Sequence, residues 1–112
     1  MSKGDEWGKS PSVQAMRGVF RNMEKEQGAF LRRLGVSPLD ARLRRWRERA
    51  LVIFENAWGR AAGLGTAPDQ EGAAVLYVHA LGRVMSSEGF QVPREALPGG
   101  DAHEHLLKAV LP

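Results

Sequence analysis

Residues 42–49 read RLRRWRER, five guanidinium groups within eight positions, and no other segment of the 112-residue chain is as biased. Such a density could neutralise several phosphates, giving affinity that depends on salt and not on base sequence. Arg32 and Arg33 end the preceding periodic segment, so a hairpin corner would gather Arg32, Arg33, Arg42, Arg44, Arg45, Arg47 and Arg49. Trp46 could stack on a base, although its place in an apolar seam assigns it to the core. A second cluster, His103-Glu104-His105, has metal-ligand residue types. Residues two apart on a helix point about 200° from one another, so these imidazoles do not share one ion. Asp101 and His105 share a face, but third and fourth ligands are lacking and no metal site or cofactor is expected.

His79 is the third candidate. The segment His79-Ala80-Leu81-Gly82-Arg83 resembles the His-x-Leu-Lys-Gly neighbourhood of histidine phosphotransfer domains, which are helical bundles of about this length. The resemblance covers five residues. It implies a phosphoacceptor role for His79, with Arg83 supplying charge and Gly82 clearance, in an order of basic residue and glycine that is reversed here. A Gly-rich phosphate loop, a nucleophile elbow and paired catalytic carboxylates are all missing from the sequence, and the chain has no cysteine. The expectation is a protein without catalysis of its own.

Composition narrows the setting. The absence of cysteine excludes disulfides and thiolate chemistry and fits a reducing compartment, here expected to be the bacterial cytoplasm. Residues 1–10 are polar and read as a flexible tail, and the longest nearly apolar run, Ala73 to Leu81, is far shorter than the ~20 residues that span a bilayer. The net charge of +3 is unevenly distributed: residues 13–49 carry ten Lys/Arg against four Asp/Glu, and residues 50–112 carry four against seven. This asymmetry suits an anionic partner or charge pairing within an assembly.

The elements that must position these residues are all helical. Val13, Met16, Phe20, Met23, Gln27, Phe30 and Leu34 alternate spacings of three and four, a heptad seam with one polar member, predicting a helix over 11–34. Gly35 supplies a left-handed stop, with Val36 folding back on Leu31. Ser37 as cap and Pro38 at the first helical position predict an immediate restart, with Leu39, Leu43, Trp46, Ala50, Ile53 and Ala57 as the second seam, ending near Gly63. About the helix axis the arginines surround this seam and do not form one stripe. Gly59 and Gly63 near its end suggest close backbone packing. Thr66, with Asp69 three residues on, predicts a third helix to Glu88, stopped by Gly89 with Phe90 folding onto Met85. This helix is apolar over some 200° of arc, so it should be central, its burial completed by the last helix or a second subunit. The remaining strip carries Gly72, Val75, His79, Gly82, Arg83 and Ser86 and is either exposed or a site of close helix approach. Residues 91–100 read as a loop, and Asp101 with Glu104 opens a short last helix.

The expected fold is all-α: an antiparallel bundle of three long helices plus a short C-terminal helix, one domain over 11–112, with the first two helices side by side. Phe20, Trp46, Phe54 and Leu81 are the expected core anchors. The leading functional expectation is a protein–protein interaction or assembly module, homodimeric, with no membrane association. Sequence-nonspecific nucleic-acid binding through the arginine corner and phosphotransfer through His79 are the alternatives.

Overall fold

A computed structural model describes residues 11–65, 68–99 and 101–111, and the side chains of 17–65, 68–99 and 104–111. Helix α1 spans Pro11–Leu34, α2 Leu43–Gly63, α3 Gln70–Ser87 and α4 Asp101–Val110, with one 3-10 turn at Arg94–Ala96; the described residues contain no strand. Three long helices and a short C-terminal one form the expected bundle.

The glycine stops work as their chemistry requires. Gly35 adopts φ 70°, its N–H donates to the Arg32 carbonyl, and the Val36 N–H donates to the Leu31 carbonyl at 2.9 Å. Gly89, at φ 88°, repeats the arrangement, with the Phe90 N–H on the Met85 carbonyl at 3.0 Å. Both follow the double hydrogen-bond pattern that satisfies the last carbonyls of a helix.

The first and last helices start where expected, at Pro11 and Asp101, but the starts of α2 and α3 differ. Helix α2 begins at Leu43 and not beside Ser37. Ser37 accepts the Leu39 N–H on its hydroxyl, Asp40 accepts the Arg42 N–H on Oδ1 at 2.8 Å, and two successive turns occupy the interval. These local side-chain bonds compete with helical ones and delay the helix by a turn and a half. Leu39 therefore leaves the seam and is 90% exposed. At α3 the cap is Asp69, whose Oδ1 accepts the Gly72 N–H at 2.7 Å. Thr66 lies outside the described residues, as do the side chains of Asp101 and His103.

The arrangement of the helices is also different. Both α1 and α2 pack along α3 and their backbones do not approach one another, so they are not side by side. Gln27 meets Tyr77 and Phe30 lies near Gly82, so α1 runs parallel to α3; Phe54 meets Tyr77 and Arg45 meets Glu88, so α2 runs antiparallel to it. The core is built on α3, with Phe30, Trp46, Leu76, Leu81 and Met85 fully buried. Trp46, Phe54 and Leu81 are anchors as expected, but Phe20 is 50% exposed. Its side of α1 would be covered only if α2 lay against it, and α2 lies on α3 instead. Val19, Met23, Phe30 and Leu31 make the buried stripe of α1. Gln27, the polar member of the seam, hydrogen-bonds the buried Tyr77 hydroxyl.

The part of the α3 strip around His79 and Gly82 is covered by the segment 91–99, while Arg83 and Ser86 of the same strip stay exposed. A Cβ on Gly82 would lie 3.1 Å from Leu97 Cδ2, and Ala96 is buried. Helix α3 is thus central and enclosed within one chain. Gly59 and Gly63, in contrast, have nothing within 4 Å of where a Cβ would stand. The close packing expected there does not occur; Ala57 and Ala61 carry the contact of that end of α2 with the core.

Candidate functional site

The seven candidate arginines do not converge. Arg42 forms a two-pronged pair with Asp40, Nε to Oδ1 at 3.1 Å and Nη2 to Oδ2 at 2.9 Å, and its guanidinium lies 4.7 Å from the centre of the Trp46 ring. This pairing holds the Asp40 carboxyl down at about 2. Arg45 and Arg49, one turn apart on α2, both grip Glu88 at the end of α3: Arg45 donates through Nη2 and Nε, and Arg49 through Nη1 at 2.7 Å. The Arg45 hydrogen bond is the chief reason that the Glu88 carboxyl is lowered to about 2. Arg49 and the Trp46 indole lower it further, although the buried indole Nε1 has no partner of proper hydrogen-bond geometry. Arg44 pairs along its own helix with Glu48 at 3.4 Å. Arg33 donates to the Ala96 carbonyl at 3.1 Å and so anchors the covering segment. Arg32 is exposed at the end of α1, and Arg47 lies on the opposite flank of α2, beside Gln27, Leu51 and Tyr77.

Trp46 is unavailable for base stacking. It is 1% exposed and packs edge-to-face on Phe90 with ring centres 5.8 Å apart. The signal missed in the sequence is Glu88, which follows α3 immediately and looked like a helix end; its partners stand 39 and 43 residues earlier.

His79 is half-buried and its Nε2 lies 2.8 Å from the Pro98 carbonyl oxygen, so that nitrogen carries the proton and donates. The imidazole fastens the segment 91–99 to α3. Arg83, one turn on, is exposed and makes no ion pair or hydrogen bond among the described residues. The phosphotransfer resemblance requires an imidazole nitrogen open to a phosphoryl donor, and the Nε2 side is occupied. No group of three or more metal-ligating side chains occurs among the described residues. No helix among the described residues is long and apolar enough to cross a membrane.

Two surface features remain. One is the groove between α1 and α2, whose backbones stay apart; it holds two small pockets, one lined by Phe20, Met23, Leu51 and Tyr77 with Glu24, Gln27 and Arg47, the other by Val19, Phe54 and Trp58 with Glu55. The other is a cleft of 690 Å³ on the far flank of α2, between α2, α3 and the segment 91–99. Comparison with known protein families, with curated proteins and with solved structures finds no match to this chain.

Proposed function

We propose that the chain is a non-catalytic helical interaction module that self-associates as a twofold dimer through the groove-side face of α1. The observation that carries this reading is the half-exposed Phe20 at the mouth of an apolar groove. Enclosure of α3 within one chain removes any need for a second copy there, so the argument rests on α1 alone. Arg17, Phe20, Glu24 and Gln27 follow one another at spacings of three and four and share one face of α1. An antiparallel pair of α1 helices crossing beside Phe20 sets Arg17 of each copy opposite Glu24 of the other, and both residues are exposed. Two complementary pairs flanking an apolar centre fit an interface in which one patch meets itself. Gly18 lies against Gln70, the first residue of α3, so α1 continues past the end of α3 by about two turns, adding the seam positions Val13 and Met16 to the same helix.

Sedimentation across micromolar concentrations is expected to give a dimer, and Phe20→Glu a monomer with unchanged helix content, since Phe20 is not core. Arg17→Glu alone should weaken the dimer, and Arg17→Glu combined with Glu24→Arg should restore it. A strict monomer for the natural sequence, or a double exchange that does not recover association, overturns the proposal.

A further inference from the structure

The cleft on the other flank of α2 has the composition of a ligand site. Its floor is apolar, formed by Ile53, Val84, Val92 and Leu97, with Leu97 packed over Gly82. Its polar lining is Arg49, His79, Arg83, Ser86 and Ser87. The volume of 690 Å³ lies within the range of small-molecule sites, about 300–1,000 Å³, which pair a mostly apolar lining with a few convergent polar groups.

The charge on this lining is not balanced internally. The side chains of Arg83 and Ser86, one turn apart on α3, have no hydrogen-bond or ion-pair partner among the described residues. Arg49 spends Nη1 on Glu88, and its other donors have none. Glu88 itself is shared with Arg45, so two guanidinium groups already divide a single carboxylate. A guanidinium pair with free donors matches the fork geometry of an oxyanion, and a hydroxyl one turn along can add a third hydrogen bond. Bare phosphate or sulfate would leave the apolar floor wet, whereas an oxyanion on a hydrocarbon body would cover it.

We infer that this cleft binds a small amphiphilic carboxylate, its head between Arg49 and Arg83 with Ser86, and its apolar body on Ile53, Val92 and Leu97. The segment 91–99, held by His79 on Pro98 and by Arg33 on Ala96, forms the outer wall. No residue of α1 lines the cleft, and Arg33, which holds its wall, lies more than three turns from Phe20, so the site is separate from the proposed dimer interface.

Decanoate, below its micelle concentration, is the probe, followed by amide chemical shifts of the whole chain. The expected result is saturable shifts at Gly82, Val84, Ser86, Val92 and Leu97, with acetate and decanol at least tenfold weaker because each lacks one half of the ligand. Arg83→Glu, at an exposed and unpaired position, should reduce decanoate affinity at least tenfold with the spectrum otherwise intact. Arg49→Gln should act in the same direction, while Arg45 continues to hold Glu88. Phe20→Glu should leave binding unchanged. Equal binding of decanol, shifts centred on the α1–α2 groove, no saturable shift, or an Arg83→Glu variant that binds as the natural sequence does would each overturn the assignment.

Discussion

Glu88 is the residue on which several contacts converge. It joins the end of α3 to two successive turns of α2, and its carboxylate faces Arg45, Arg49 and the Trp46 indole. The lowering of its pKa from 4.5 to about 2 defines when this junction operates. A carboxyl with a depressed folded-state pKa contributes stability that is fully present above its unfolded value and is lost as pH falls through the folded one. Thermal stability should therefore decline as pH drops from above 4.5 towards 2, a window shared with Asp40, whose carboxyl is also held at about 2. Glu88→Gln should melt lower than the natural protein at neutral pH, and the difference should shrink towards pH 2. Melting curves over that range check it, and a constant difference would show that the junction acts through packing and not through charge. The pairing was not legible in the sequence, because it joins residues some forty positions apart. By contrast, the core role of Trp46 was legible from its place in the seam, which outweighed its arginine neighbours.

At the scale of elements, helix ends were more legible than helix starts. Gly35 and Gly89 announce a left-handed residue, and each adopts positive φ with the expected backbone bonds. The start of α2 was misread because Ser37 and Asp40 are equally suited to cap a helix or to close short turns, and here they close turns. Nor does spacing distinguish a glycine in close contact from one in open space. Gly59 and Gly82 are both helical, yet a Cβ at Gly59 meets nothing within 4 Å while one at Gly82 meets Leu97 at 3.1 Å. Opposite outcomes follow. Gly59→Ala should stabilise the protein by up to about 1 kcal/mol through helix propensity alone. Gly82→Val should destabilise it by about 1–3 kcal/mol through overpacking, and should speed hydrogen exchange at the Ala96 and Leu97 amides as the segment 91–99 loosens. Denaturant unfolding and native-state exchange measure both, and a stabilised Gly82→Val would mean that Leu97 does not rest on α3.

For the whole molecule, the number and kind of helices followed from periodicity, but their arrangement did not. A short link suggested that α1 and α2 are neighbours, whereas the widely apolar α3 competes for both and wins, because burying its circumference removes more apolar surface from water. The same arrangement brings the basic and acidic halves of the sequence together: Arg45 and Arg49 of the basic half meet Glu88 of the acidic half, and Arg42 and Arg44 are paired within their own half. Of the seven candidate arginines, four are thus committed to carboxylates and Arg33 to a carbonyl, while Arg47 lies beside the Tyr77 hydroxyl and Arg32 on a different part of the surface. Dispersed charges of this kind engage few phosphates at once, and each phosphate neutralised on duplex DNA contributes only about 0.9 to the logarithmic salt slope. The natural protein should therefore show no appreciable binding to duplex or single-stranded DNA at about 150 mM salt, where exposed charges are screened beyond roughly 8 Å. Glu88→Gln, which releases Arg45 and Arg49, should bind more tightly than the natural protein at low salt. Fluorescence anisotropy at several salt concentrations tests both statements. Tight binding by the natural sequence at about 150 mM, with a salt slope of several phosphates, would mean that the arginines of α2 exchange their carboxylate partners for nucleic acid.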